Sequence, residues 1–392
     1  MRPQFERGVP SFRRFLSEIS TEVAMNHGVR RLARIAVLLA ALGPMATAAD
    51  VKGLIKEIFS IPSVTGNEQF LAAKIAGFLP KTAALSADNL GGVYLKLGTA
   101  GGPAIVAPLD EFGYVVSGFT ADGYLTLDRA VPPPSPVYDS FLLGHPVVIM
   151  AKSKPVYGVV SQPSMHLLTR ERRDQLAKEL TLDLVFVDLG VRSDVEARAK
   201  GVEILDPVTF WPDLTMLADE LWSGPALGQK SLCAALIAAA QEMVQDKAST
   251  ADIVWAAQSR FPARGTRASL GLTRARARLG GNKAIVLDTV AADRGPNSPI
   301  LGKGIVLIQT KEAPSKVREA VEAAALQKKI PLQYRTGGDS PVLAPFASDG
   351  GDAVSLALAV RYAGTPSEIV ALKDVQALAS LLAEIIKEGR LK

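Results

Sequence analysis

The sequence predicts an α/β fold in which a layered α/β domain is interrupted by a small β-rich, barrel-like insertion. The pattern evidence comes first. Helical and strand patterns alternate over residues 50–112 and again over 214–392, as in domains that stack helices on a sheet. Between these segments, 113–213 holds short β-type runs separated by Pro, Gly and Asp. The chain has 392 residues, 48% hydrophobic and 21% charged, which is enough for more than one core and excludes a disordered or fibrous protein.

Residues 1–49 read as a leader. From Met25, the sequence MNHGVRRLARIAVLLAALGPMATAAD joins a basic stretch, a short apolar run and the small residues Ala46, Thr47 and Ala48. This is the anatomy of a signal peptide over 25–49, cleaved near Ala48 or Ala49, so the expected location is exported, periplasmic or secreted. Initiation at Met25 would place that signal at the N-terminus. The apolar run over 35–42 is far shorter than the roughly 20 residues that span a bilayer, so no stable membrane span is expected. The formal charge of +5 falls to +1 without the leader, 37 basic residues against 36 acidic, which argues against a nucleic-acid partner. The single cysteine, Cys233, lies in the apolar run CAALIAAA and reads as a core thiol.

Taken in order, VKGLIKEIF and EQFLAAKIAGFL show helical spacing around the break IPSVTG, with Thr65 or Asn67 available to cap the second helix. GGVYLKLG and PAIVAPLD follow as strands. YLTLDRAV, HPVVIMA, PVYGVVSQ and LDLVFVDLG are the short β runs of the insertion. LCAALIAAAQEMVQ is a helix, DIVWAAQS and NKAIVLDTV are strands, and KVREAVEAAALQKKI and DVQALASLLAEIIKEGRL are helices.

The candidate chemistry is sparse. GPALGQKS lacks the adjacent Gly-Lys of a phosphate-binding loop, and no strand clearly precedes it. No nucleophile elbow occurs. Beyond the leader, His145 and His166 have no partner at metal-ligand spacing, so a zinc centre would have to rest on carboxylates. Asp110 and Asp288 each close a buried-strand pattern, AIVAPLD and KAIVLD, and could project into one crevice at the carboxyl ends of neighbouring strands.

With these landmarks placed, the chain resembles the tetrahedral or glutamyl aminopeptidases, a family of di-zinc metallopeptidases that includes cellulase-annotated relatives. The likeness runs through IPSVTGNE, DNLGG, LDEFGYVV, LVFVDLGVRSDVEARAKGVEILDPVTF, LDTVAADRGPNSPILGKG and RYAGTPSEIVALKDVQAL. It implies an aminopeptidase-type domain from 50–112 and 214–392, and an inserted oligomerisation domain over 113–213. It also implies a homo-oligomer, a dimer or a dodecamer.

Transferred residue by residue, the resemblance implies a degenerate site. Pro108 stands at a zinc-binding histidine and Gly228 at the bridging aspartate, with Gln229 and Lys230 completing the altered triplet. Ser259 stands at the general base, Arg260 at a metal-binding glutamate and Gly364 at a second histidine. Asp110, the acid that orients the first histidine, and Asp288, a metal ligand, are retained. No catalytic residue and no cofactor are expected, because zinc needs three protein ligands and a guanidinium repels a divalent cation. Arg260, with Lys230, is expected to fill the metal region and pair with Asp288 or Asp110.

The preferred reading is an exported, non-catalytic member of the family that binds a peptide or small molecule or acts in an assembly. The alternatives are an active metallo-aminopeptidase or other hydrolase with a rearranged site holding zinc or cobalt, and a purely structural subunit.

Overall fold

The carboxyl ends of a run of parallel strands form the floor of the candidate site. The structure is a computed structural model. It describes residues 50–98, 102–152, 154–178, 180–246, 248–263, 268–292, 295, 298–309, 314–336, 341–348 and 350–387. The signal peptide expected over 25–49 lies outside the described residues.

The chain enters through the helices Val51–Phe59 and Gln69–Phe78, followed by β1 (Ala84–Ala87), β2 (Val93–Leu97) and β3 (Ala104–Pro108). Six strands then close a barrel: β4 (Tyr114–Phe119), β5 (Leu125–Arg129), β6 (Pro146–Met150), β7 (Pro155–Ser161), β8 (Phe186–Asp188) and β9 (Pro207–Phe210). After β10 (Thr215–Met216) and β11 (Leu221–Gly224) comes the long helix Leu227–Val244, then β12 (Ala251–Ala256), the helix Leu270–Arg278 and β13 (Lys283–Ala291). The remainder is β14 (Ile305–Gln309), the helix Lys316–Lys328, β15 (Leu332–Thr336), a short helix Ala344–Ala347, β16 (Asp352–Val360), β17 (Glu368–Ala371) and the helix Leu372–Lys387.

Eight strands pair in the order β1-β2-β12-β3-β13-β16-β14-β15. β12, β3, β13 and β16 are parallel neighbours at its centre. β3 is buried along its whole length, as its unbroken apolar run requires of a strand covered on both faces. Its residues alternate: Ile105 and Ala107 join the core made with the helices Leu227–Val244 and Leu372–Lys387. Ala104 and Val106 pack on the other side with Leu272 and Phe346. The barrel has its own core, in which Tyr114, Val116, Leu127, Ile149, Val187 and Val208 meet.

The structure departs from the sequence expectations in several places. β1 precedes the two expected first strands, and β14, β15, β16 and β17 were not anticipated. β11 does lead towards GPALGQKS, although Gln229 still separates glycine from lysine there. Neither Thr65 nor Asn67 caps the second helix: its N-cap is Glu68, without a side-chain cap bond. Thr65 instead donates its hydroxyl to Asp110, where a buried carboxylate needs it more.

Candidate functional site

Ala284 of β13 pairs with Ala104 of β3, which places Asp288 at the level of Pro108. At these strand ends opens a cavity of about 310 Å³, whose wall includes Pro108, Ser259, Arg260 and Asp288. The fold therefore brings together four of the positions singled out from the sequence. Asp110, Gly228 and Gly364 are not on that wall.

Asp110 is fully buried, and both of its carboxylate oxygens are taken. Oδ1 accepts from the Ser259 amide at 2.9 Å and from the Ser259 hydroxyl in a short contact. Oδ2 accepts from the Thr65 hydroxyl at 2.8 Å and the Arg260 amide at 2.9 Å. The expectation that Asp110 and Asp288 share one crevice is thus corrected: Asp110 lies beneath the 258–262 loop and anchors it. Four donors thus occupy the two oxygens of one carboxylate.

Glu111 turns the other way. It accepts from the Ser63 amide at 2.8 Å and faces Lys230, whose Nζ lies 3.6 Å away. Lys230 is buried and also donates to the Ile61 carbonyl at 2.6 Å and the Ser63 hydroxyl at 2.7 Å. Burial pulls its pKa below the ordinary lysine value, and Glu111 opposes that pull. Lys230 therefore tethers the IPSVTG turn rather than neutralising Asp110 or Asp288, which corrects the expectation for it.

Arg260 does reach the region expected, with different partners. Its Nε donates to the backbone carbonyl of Asp110 at 2.9 Å, and its guanidinium carbon lies 4.2 Å from the centre of the Phe112 ring. The stacking fixes the guanidinium plane. Among the described residues no ion pair joins its side chain to either aspartate; only its backbone amide meets the Asp110 carboxylate. Asp288 accepts from the Thr289 amide at 2.8 Å. Enclosure in the cavity wall pushes its carboxyl up to about 6, against the lowering effects of that amide and of the Arg260 charge.

Gly228 and Gly364 meet at a residue that sequence reasoning passed over. Both backbone amides donate to the part-buried Glu368 carboxylate, each at 2.9 Å, from Gly228 to Oε2 and from Gly364 to Oε1. Ala226, at the N-cap of helix Leu227–Val244, is left-handed and offers no side-chain cap. Glu368 supplies the missing acceptor and a negative charge at the positive end of the helix. Burial raises its pKa, and the two amides work against that rise. A Cβ at Gly228 would lie 2.9 Å from methyl groups of Thr289 and Val360, so the backbone there has no side-chain room.

A second overlooked carboxylate, Glu68, holds the loop from the opposite side. Its Oε1 accepts from the Gly66 amide at 2.9 Å and the Gln258 amide at 2.8 Å. Gln258 is left-handed, with φ of 51°, immediately before Ser259. The only sequence signal for Glu68 was its place in IPSVTGNE, and for Glu368 its place at the start of a short apolar run. Beneath the site, Gln229 Nε2 and the Cys233 thiol both donate to the Pro108 carbonyl, at 3.0 and 3.3 Å. Cys233 is the core thiol the sequence suggested, its pKa pushed up to about 12 by burial. Among the described residues, no group of three or more His, Cys, Asp and Glu side chains is placed to hold a metal ion.

Residues 91–381 match the M42 glutamyl aminopeptidase family. A lysyl aminopeptidase from Pyrococcus furiosus is 28% identical over 347 residues, covering 86% of this chain and 96% of that protein. In fold, the chain is similar to the TET1 peptidase of Pyrococcus horikoshii, which can assemble into a tetrahedron or a large octahedral shell. That match has a TM-score of 0.74 at 21% identity and covers 86% of this chain and all of the other. A Thermotoga maritima protein described as an endoglucanase matches with a TM-score of 0.63 at 21% identity, over 86% of this chain and 97% of that one. With the family match spanning most of the chain and the fold in agreement, the chain belongs to the M42 glutamyl aminopeptidase family.

Proposed function

We propose that this chain is an exported member of the family that has given up di-zinc hydrolysis and uses the same cleft for metal-independent binding. The observation that carries this reading is Arg260, a permanent cation on the cavity wall at a position where relatives are expected to hold a metal-binding glutamate. Around it the donor set does not fit a zinc pair. Pro108 and Gly228 offer no ligand side chain, Gly364 lies with its amide on Glu368, and among the described residues Asp288 is the one carboxylate on the wall. Ser259 cannot serve as a carboxylate base, and its hydroxyl is already donated to Asp110. No step of water activation can be assigned to these side chains.

On this reading 50–112 and 214–392 form the binding domain, and 113–213 is the oligomerisation domain of a homo-oligomer. The TET1 shells of Pyrococcus horikoshii support the assembly by analogy. Among the described residues no helix is long and apolar enough to cross a membrane. The competing reading, a metallo-aminopeptidase using zinc or cobalt at a rearranged site, is favoured by the peptidase names of the relatives.

Metal analysis of the purified protein, with an aminoacyl-substrate screen in the presence and absence of zinc or cobalt, separates the two. The expected outcome is no stoichiometric metal and no turnover; bound metal with chelator-sensitive cleavage would establish the competing reading. N-terminal sequencing of exported protein is expected to begin near Asp50, and light scattering to give a multiple of the chain mass.

A further inference from the structure

We propose that the cavity binds a free apolar α-amino acid as its zwitterion, the carboxylate on Arg260, the ammonium on Asp288 and the side chain against Phe112 and Phe261. The inference rests on the reading of the cleft as a metal-independent binding site and names its ligand class. Two opposite charges share one cavity wall without forming an ion pair with each other. Arg260 spends Nε on the Asp110 carbonyl and its face on Phe112. Among the described residues no acceptor is bonded to its terminal nitrogens, the fork that matches a carboxylate. Opposite polar ends, held apart on a mostly apolar wall, describe a zwitterion. A simple anion would leave Asp288 unmatched, and a simple cation would leave Arg260 unmatched.

Size and field agree. A volume of about 310 Å³ is at the small end for ligand pockets, suited to one amino acid rather than to an extended chain. Phe112, Phe261, Pro132 and Val342 present apolar surface to the ligand's side chain. The segment 260–281, which contributes Arg260 and Phe261 to the wall, carries six arginines and no acid in its sequence. Arg260 is the member of that run described on the wall, where its charge draws a carboxylate.

The test is calorimetry and thermal shift on the mature protein with L-phenylalanine, L-phenylalaninamide, which lacks the carboxylate, and 3-phenylpropanoate, which lacks the ammonium. L-phenylalanine is expected to bind, and each analogue to bind roughly tenfold more weakly or worse. Arg260→Gln is expected to erase the preference for the acid over the amide. Asp288→Asn is expected to erase the preference for the amino acid over 3-phenylpropanoate. If metal-free protein ignores L-phenylalanine, or takes the amide as tightly as the acid, the inference is overturned while the metal-free reading survives. Stoichiometric metal would instead remove that parent reading, and binding that still needs Arg260 would then support the zwitterion site alone.

Discussion

Asp110 shows how a strand-end acid can be present without being available. In the sequence it closes an apolar run and looks like a group aimed into a crevice. In the structure two hydroxyls and two amides occupy it, and the residue faces the 258–262 loop and Thr65. Which atoms meet a carboxylate depends on loop conformation, and residue identity alone does not carry that. The same holds for Arg260: its charge was readable, but its choice of a backbone carbonyl over a carboxylate was not. Glu68 gives a titration test at this scale. Burial chiefly, and the neighbouring Asp110 charge, raise its pKa from an ordinary 4.5 to about 7. Since the folded form holds its proton more tightly than the unfolded chain, its contribution is full below about 4.5 and is lost as pH rises through 7. Glu68→Gln keeps an acceptor for the Gly66 and Gln258 amides and removes the charge. The variant is expected to match wild type at pH 4 and to exceed it at pH 8 by on the order of 2–3 kcal/mol, read as urea midpoints.

At the scale of elements, the long helices and the strands β3, β12 and β13 were legible because their apolar periodicity is unbroken. β16 was not: DAVSLALAV mixes small and branched residues with Ser355, and only its seat between β13 and β14 makes it a strand. Lys230 illustrates how a helix is fastened to a distant turn. Lys230→Met would leave Glu111 buried beside a lost cation, and a destabilisation of roughly 3–5 kcal/mol is expected by denaturant unfolding. Adding Glu111→Gln should recover most of it, since the Ser63 amide keeps an acceptor. Gly271, at the start of the helix Leu270–Arg278, has the Ala257 carbonyl 1.8 Å from where a Cβ would sit. Gly271→Ala is therefore expected to cost about 1–3 kcal/mol or more and to move the 258–262 loop. Retained melting temperature in that variant would contradict the packing described.

Across the whole molecule, the division into a sheet with helices and a separate barrel was the most legible feature. It depends on pattern changes sustained over tens of residues, and the two cores are built from different segments. The cavity stands where the parallel strands end, and its support comes from both ends of the chain: Glu68 from one, Glu368 from the other. The contacts named there are hydrogen bonds between the chain's own groups. On the proposed metal-free reading, dialysis against EDTA is expected to leave the melting temperature unchanged, where a zinc-dependent relative would fall. Glu368 also has a bearing on protein engineering. It staples two backbone segments at the places where a peptidase designer would install an aspartate and a histidine, and the Thr289 and Val360 methyls already occupy the space beside Gly228. On the proposed reading, a zinc pair could not be built there one side chain at a time. Gly228→Asp alone would meet those methyls and set a second acid beside a part-buried first one, so each early step would lose stability before any metal could repay it.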